Sequence, residues 1–202
     1  MINIKISCIK SIFIFCFFII GFLFTPYVWA DEGSLYAAHN IWYEFGKENK
    51  LFCINYKAGT FIPAGTQVKN VKIEKTSAAR RSNRESLAIY FETAKDSKPY
   101  WVIFTTKWHP GKTIEDYKNY MFSTKNFESL VKGFNKSEID AIKQGGLVVG
   151  MSKKAVLVSY GHPPEHKTPS LDMNRWIYWM SRMGSKAINF DKDGRTFISN
   201  TL

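Results

Sequence analysis

The chain has 202 residues, of which 45% are hydrophobic, 16% are aromatic and 22% are charged. This apolar content excludes an intrinsically disordered chain, and the length is enough for one good hydrophobic core or two small ones. The formal net charge of +11 excludes an acidic protein and predicts a basic surface.

Residues 1–30 have the pattern of a secretory signal peptide. Two lysines place positive charge ahead of residues 11–24 (SIFIFCFFIIGFLF), which form one apolar run that is too short to cross a bilayer comfortably. Val28 and Ala30 occupy the positions at which a signal peptidase requires small side chains. We therefore predict cleavage after Ala30 and a periplasmic mature chain that associates with the outer membrane; an uncleaved anchor is the alternative.

The mature chain would keep one cysteine and a positive charge. Cys53 is the only cysteine after the leader, so no internal disulfide can form and the fold depends on its hydrophobic cores. Cys16 follows Phe15 within the apolar run, where a lipoprotein signal needs a small residue, so lipidation is not expected. Without the two leader lysines, the chain has 26 basic and 17 acidic residues, a formal charge of 26 − 17 = +9.

This charge indicates the kind of partner. Outside the cytoplasm, a basic surface is expected to meet an envelope protein or an anionic envelope surface, either lipid headgroups or cell wall, rather than nucleic acid. The alternative is that the charge only maintains solubility. The sequence does not predict an oligomeric state.

Residues 33–108 predict a small antiparallel β-barrel. Short runs rich in β-branched and aromatic residues, among them 41–45 (IWYEF), 51–56 (LFCINY) and 99–108 (PYWVIFTTKW), alternate with turn signals. Several short strands in one stretch are typical of such barrels. Residues 61–68 (FIPAGTQV), a turn that leads into a strand, weakly resemble a bacterial SH3-like domain. The resemblance implies a barrel face that binds peptides or cell-wall material.

Basic and aromatic side chains are the candidates for a partner site. A polar loop at 77–86 (SAARRSNRES) carries three arginines, Arg80, Arg81 and Arg84. These would bind an anion or an acidic partner, or else form a solvated loop. Trp42 and Trp179 are further candidates, because an exposed tryptophan beside basic loops marks an interface; the alternative is a place in the core.

Three helices are predicted from their first residues. Residues 109–113 (HPGKT) end the barrel, and Thr113 can cap a helix that carries Ile114, Tyr117, Tyr120 and Met121 on one face. Asn135 and Glu138 form the capping-box pattern of a second helix, which Gly145 and Gly146 would end. Ser152 begins a third short helix, and Gly161 followed by prolines ends it.

The segment around the third helix, residues 149–164 (VGMSKKAVLVSYGHPP), has glycines, a serine and lysines but no catalytic spacing. It lacks the Gly-x4-Gly-Lys pattern of a phosphate-binding loop and the Gly-x-Ser-x-Gly turn of a serine nucleophile. Strands are predicted at 175–180 (RWIYWM) and 186–190 (KAINF), and a turn at Asp191–Gly194 leads into a third. The segment is therefore interpreted as a helix start and stop ahead of a three-stranded sheet.

The order of these elements resembles the SmpA/OmlA family, the small lipoprotein subunit of the outer-membrane β-barrel assembly machine. The resemblance covers roughly residues 135–200. The positions that carry it are Gly150, Ser152, Val156, Gly161, Pro163, Trp176, Tyr178, Asp193 and Gly194. It implies two helices packed on a three-stranded sheet, and a non-enzymatic role in binding proteins and anionic lipid. This chain departs from the family because it lacks the lipid-attachment cysteine and has an additional N-terminal region.

No pattern predicts a metal or cofactor. His162 and His166 have the spacing of a zinc-binding helix, but the two prolines between them exclude an ordinary helix. Asp191 and Asp193 begin like a calcium loop, but Asn200 stands where the loop needs glutamate, so a hairpin turn is expected.

Catalysis would require Cys53, with His39 or His109 as its base, and this cysteine hydrolase is an alternative. A free cysteine in an apolar strand is more typical of the core. We therefore predict no catalytic residue. The sequence predicts an α+β protein with an SH3-like barrel (33–108) followed by an SmpA/OmlA-like domain (113–202). The predicted function is a periplasmic binding or scaffold protein for envelope assembly; a cell-wall binding module is a further alternative.

Overall fold

The structure is a computed structural model that describes residues 33–43, 49–76 and 86–197. The predicted leader and the predicted anion-binding residues Arg80, Arg81 and Arg84 lie outside the described residues. From Gly33 onward the chain forms one compact unit.

Eleven strands and four helices are present in the described residues. The strands are β1 (Leu35–Ala37), β2 (Ile41–Tyr43), β3 (Lys50–Phe52), β4 (Thr60–Ile62), β5 (Gln67–Thr76), β6 (Ser86–Thr93), β7 (Pro99–Ile103), β8 (Phe122–Ser123), β9 (Arg175–Trp179), β10 (Ser185–Phe190) and β11 (Thr196–Phe197). The helices are α1 (Ile114–Met121), α2 (Phe127–Leu130), α3 (Lys136–Lys143) and α4 (Lys153–Tyr160). The predicted α+β class is therefore confirmed.

The first part of the fold is a curled six-stranded sheet with the order β3-β7-β6-β5-β1-β8. Its long strands β5 and β6 pair antiparallel, with a bulge between Lys69 and Lys72 where Asn70 has a φ of 55°. This bulge lies where the apolar alternation of the sequence slips by one residue. The all-antiparallel expectation is wrong for one pair, because β3 runs parallel to β7. The long connection between these two strands permits the crossover that a parallel pair needs.

The helix α1 completes the core of this sheet. Thr113 caps α1, as predicted, and the Asp116 side chain completes a capping box that was not predicted. Ile114, Tyr117 and Met121 are buried in the same apolar cluster as sheet residues such as Phe91 and Val102. The strand β8 follows α1 immediately and pairs with β1. The helix predicted as the start of the second half thus packs on the first.

The second part consists of α3 and α4 and an antiparallel sheet with the order β11-β10-β9. Asn135 and Glu138 form the predicted capping box of α3, and the Ser152 side chain accepts from the Ala155 N–H at the start of α4. A second apolar cluster surrounds Trp176, which is fully buried. The predicted order of two helices and three antiparallel strands is confirmed.

Buried hydrogen bonds join the two parts. The Asn40 amide donates to the Ile142 carbonyl at 2.8 Å and accepts from the Ala64 N–H at 2.8 Å. The Lys57 N–H donates to the Trp179 carbonyl at 3.0 Å, which covers the outer edge of β9. None of the helices in the described part of the chain is long and apolar enough to cross a membrane.

Candidate functional site

All four histidines of the chain meet at one short segment, residues 161–166 (GHPPEH), which we call the histidine segment. It follows α4, where Gly161 and the prolines end the helix. His162 and His166 belong to it, and His39 and His109 pack against its Gly161 and Glu165. The segment therefore brings together residues that are far apart in the sequence.

His39 packs against the glycine that opens the segment. A Cβ atom on Gly161 would lie 2.8 Å from two ring atoms of His39, and the φ of Gly161 is 75°. The His39 ring bonds the Asn40 carbonyl at 2.9 Å through Nδ1. Burial lowers the pKa of His39 to about 3, so the ring is neutral at neutral pH and Nδ1 donates this bond.

His109 joins the segment to the first core. Its ring is completely buried, and Nε2 donates to the Cys53 carbonyl at 3.0 Å, while Nδ1 is hydrogen-bonded to the Glu165 carboxylate. Because Nε2 needs its own hydrogen for the carbonyl, the pair holds a second proton between Nδ1 and the carboxylate. Burial raises the pKa of Glu165, but the hydrogen bond and charge of His109 outweigh it, so the pKa lies below its ordinary value.

Cys53 takes part through its backbone and not through its thiol. Its carbonyl also accepts from the Tyr117 hydroxyl at 2.6 Å, and Sγ lies 3.8 Å from the Thr105 carbonyl. The residue is 1% exposed, and burial raises the pKa of the thiol to about 12. At neutral pH the thiol is therefore protonated, and His109 is bonded to the backbone carbonyl instead of serving as its base.

The His166 ring contacts two tryptophans, Trp108 and Trp179. Its Nδ1 lies 3.2 Å from the Trp108 carbonyl, and its Nε2 accepts from Nε1 of Trp179 at 3.3 Å. The rings of His166 and Trp179 stack with an interplanar angle of 14°. Burial lowers the pKa of His166, consistent with the neutral ring that these two bonds require.

Two lysines border this cluster. Nζ of Lys107 lies 4.8 Å from the centre of the Trp108 ring, in a cation–π contact, and Lys107 and Lys167 are both exposed. Trp108 and Trp179 are half-buried. We call Lys107, Trp108, His166, Lys167 and Trp179 the aromatic–lysine face. It contains one predicted partner residue, Trp179.

His162 faces a different neighbour. Its ring stacks on Tyr120 of α1, with centroids 3.7 Å apart and an interplanar angle of 2°. Burial lowers the pKa of His162 to about 4. His162 and His166 thus turn to separate sides. The described ranges contain no group of three or more His, Cys, Asp or Glu residues that could hold a metal ion.

The other predicted partner residue, Trp42, lies between the two parts of the fold. Its ring is 4.8 Å from that of Phe61 and 6.4 Å from that of Tyr160, measured between centroids. A Cβ atom on Gly145 would lie 2.8 Å from the indole. The structure does not bring Trp42 and Trp179 together in one face.

The residues that carried the family resemblance hold the second part together. Gly150 has a φ of 81° ahead of the Ser152 cap, and Val156, Trp176 and Tyr178 are almost completely buried. The Tyr178 hydroxyl donates to the Gly161 carbonyl at 2.8 Å, and Pro163, two residues after Gly161, is buried. These residues position the histidine segment.

The predicted turn after β10 is present. The Asp191 carboxylate accepts from the Asp193 N–H at 2.9 Å and the Arg195 N–H at 2.8 Å, and Gly194 has a φ of 71°. Arg195 then reaches Glu138, 3.1 Å away, which also accepts from the Ser152 N–H at 2.8 Å. The Asp191 carboxylate therefore forms hydrogen bonds with the backbone of its own turn, as expected for a hairpin turn.

Sequence reasoning missed Lys112, Tyr120 and Glu165 as a group. Tyr120 was placed on the apolar face of α1, and the structure makes it half-buried beside His162. The signal that could have found the group is the pair of histidines flanking Glu165 in a proline-stopped segment. No protein-family model, curated protein or solved structure matches this chain.

Proposed function

We propose that this chain is a non-enzymatic binding protein of the periplasm that holds an anionic envelope partner on its aromatic–lysine face. An accessory role in envelope assembly, close to the outer membrane, is the form of this function that we favour. The proposal rests on the predicted leader, the basic charge and the arrangement of this face.

The aromatic–lysine face is the observation that carries the proposal. The Trp179 indole donates to His166, and the Trp108 ring packs edge-on against the His166 ring with centroids 4.9 Å apart, so little side-chain entropy is lost when a partner covers them. Tryptophans held in this way are typical of the residues that dominate binding energies. Lys107 and Lys167 place positive charge beside them, which favours an anionic partner.

The architecture of the second part agrees with this function. Two helices followed by a three-stranded antiparallel sheet is the arrangement that the SmpA/OmlA resemblance implies. We extend the proposal to that family's kind of work, the binding of proteins and anionic lipid. We also propose that the curled six-stranded sheet is a variant of the SH3-like barrel, in which α1 contributes to the core.

The state of Cys53 supports a non-enzymatic role. A cysteine hydrolase needs a thiolate beside a base, at a position that substrate can reach. The Cys53 thiol is buried and its pKa is raised to about 12, while His109 bonds the backbone of the same residue.

A sedimentation assay tests the proposal. The chain from residue 31 is mixed with isolated outer membrane, inner membrane or cell-wall sacculi at low and moderate salt. We expect binding to a membrane fraction that weakens with salt, because lysines contribute to it. The double variant Lys107→Ala/Lys167→Ala should lose most of the binding, whereas the control Lys136→Ala/Lys143→Ala on α3 should keep it.

Two results would contradict the proposal. One is the absence of binding to every fraction at low salt, and the other is an equal loss of binding in both double variants. Binding to sacculi alone would instead support the cell-wall alternative.

A further inference from the structure

A polar cleft lies on the side of the histidine segment where His162 meets α1. It has a volume of about 210 Å³ and is bordered by Lys112, Tyr120, His162, Glu165 and Thr168. Each water molecule occupies about 30 Å³ of liquid, so the cleft has room for roughly seven waters. A single sugar ring is of this size.

His162 presents unused hydrogen-bonding atoms here. The parallel stack on Tyr120 fixes the plane of the imidazole, and burial lowers its pKa to about 4. At neutral pH the ring therefore has one N–H donor and one nitrogen acceptor. Neither nitrogen is hydrogen-bonded to another residue in the described part of the chain.

Lys112 and Glu165 set the charge of the cleft. The Lys112 ammonium lies beside Tyr120, with Nζ 5.8 Å from the centroid of its ring, and it retains donor capacity. One oxygen of Glu165 bonds His109, so the carboxylate charge is balanced by that ring while acceptor capacity remains. With His162 neutral, Lys112 is the one unbalanced charge among the residues that border the cleft.

These groups suit hydroxyls better than any other ligand chemistry. A ligand made of several anionic groups would keep uncompensated charge, because Lys112 supplies a single positive charge, and a cationic ligand would be repelled by Lys112. A hydroxyl both donates and accepts, so neighbouring hydroxyls on a ring can satisfy the two His162 nitrogens, the carboxylate and the ammonium together. Pro163, Pro169 and Leu171 supply apolar surface for the face of such a ring.

We propose that this cleft binds one hydroxylated ring of monosaccharide size, either neutral or with a single negative charge. The site goes beyond the proposed function, because it uses different residues from the aromatic–lysine face. Cell-wall glycan, a sugar-bearing lipid headgroup and a free sugar share this chemistry.

Imidazole NMR of the chain from residue 31 tests the site. Glucuronate, glucose and glucosamine are titrated while the ring signals of the four histidines are followed. We expect a saturable shift of His162 in the millimolar range, with glucuronate bound most tightly and glucosamine at least about tenfold more weakly. The ring signals of His39 should not move, because that ring is buried and does not border the cleft.

Three variants complete the test. His162→Phe keeps the stacked ring and removes both nitrogens, and we expect it to weaken glucuronate binding by about tenfold or more. Lys112→Ala, a change at a part-exposed position that does not threaten the fold, should weaken glucuronate binding more than glucose binding. Lys136→Ala, an exposed position on α3, is the control and should leave both affinities unchanged. For variants that lack His162, tyrosine signals of the cleft report binding.

The proposal is overturned if none of the three sugars gives a saturable shift, or if His162→Phe and Lys112→Ala both bind like the unaltered chain.

Where a sugar does bind, a competition experiment identifies the source of the ligand. Glycan fragments from digested sacculi and micelles of a sugar-bearing lipid are added to the glucuronate complex. Displacement by one of them assigns that source, and displacement by neither assigns the free sugar. The aromatic–lysine face is tested separately, so either proposal can fail alone.

Discussion

Gly150 and Gly161, which frame α4, have similar positive φ angles and different surroundings. Their φ values are 81° and 75°, a region that favours glycine. A Cβ atom on Gly150 would meet nothing within 4 Å, whereas one on Gly161 would lie 2.8 Å from the His39 ring. The sequence predicted that Gly161 ends the helix, but it held no information about His39, because that contact is between distant residues.

Alanine at the two positions separates backbone strain from steric clash. We expect Gly150→Ala to lower the free energy of unfolding by about 1 kcal/mol, through strain alone. Gly161→Ala should cost about 2–4 kcal/mol, because the overpacking of His39 is added to the strain. Urea unfolding at neutral pH measures both. Equal losses would mean that His39 does not pack on this glycine.

Glu138 is a buried acceptor shared by three elements. It accepts from the N–H groups of Asn135 and Ser152 and from the Arg195 side chain. Burial raises the pKa of this carboxyl, but these hydrogen bonds outweigh it, so the pKa is lowered. The capping-box pattern predicted the first of these bonds only, because the other two depend on the packing of α4 and the hairpin.

Removal of the Glu138 charge should therefore be costly. We expect Glu138→Gln to lower the free energy of unfolding by about 1–3 kcal/mol, because a charged acceptor is lost from a buried site. The matched control is Asp140→Asn, which removes an exposed pair with Lys136 and should cost less than about 1 kcal/mol. Thermal or urea unfolding compares them, and a control that is as damaging as Glu138→Gln would refute the role of this carboxylate.

At the scale of elements, the histidine segment docks α4 and β9 against the first part of the fold. Its length and its prolines predicted an end to the helix. Which surfaces it joins could not be predicted, because Glu165, His39 and Tyr120 come together only through the tertiary fold. The same limit explains the missed parallel pair of β3 and β7. The starts of α1, α3 and α4 were predicted correctly because capping depends on residues three apart, whereas the short helix α2 was not predicted.

The docked histidines make stability depend on pH. Above pH 6.5 His39 is neutral in the folded and the unfolded chain, so stability is fully present. As the pH falls below 6.5, His39 becomes protonated in the unfolded chain, whereas in the folded chain it stays neutral down to about pH 3. The free energy of unfolding therefore decreases. The loss is about 1.4 kcal/mol per pH unit, or about 2 kcal/mol at pH 5 from His39 alone. His162 acts in the same direction down to about pH 4.

Urea unfolding at several pH values measures this slope, and His39→Gln is the informative variant. Whatever its stability at pH 7.5, its free energy of unfolding should fall less steeply between pH 6.5 and 5. The slope should be smaller by the contribution of the one proton that binds His39 in the unfolded chain. An unchanged slope would show that His39 takes up its proton in the folded state.

At the scale of the whole molecule, the two predicted domains share one compact unit from Gly33 onward. The first core includes Ile114, Tyr117 and Met121 of α1, which the sequence assigned to the second domain. The binary pattern of the sequence predicted both apolar faces. It could not assign α1 to a core, because an amphipathic helix between two sheets fits either one.

Truncation tests this assignment of α1. We expect residues 31–108 to remain unfolded alone, because their core lacks the apolar face of α1. A fragment of residues 31–124 should show more native-like circular dichroism and a cooperative, though weaker, unfolding transition. Cooperative folding of the shorter fragment would contradict the role of α1 in the first core.

Cross-linking in cells would show whether the aromatic–lysine face holds a partner in the periplasm, as we propose. A photoreactive phenylalanine analogue is placed at Lys107 and, as the control, at Lys136 on α3, both of which are exposed. We expect one discrete adduct with an envelope component from position 107, none from position 136, and a periplasmic chain without its leader. No adduct from position 107, identical adducts from both positions, or a chain retained in the cytoplasm would contradict it.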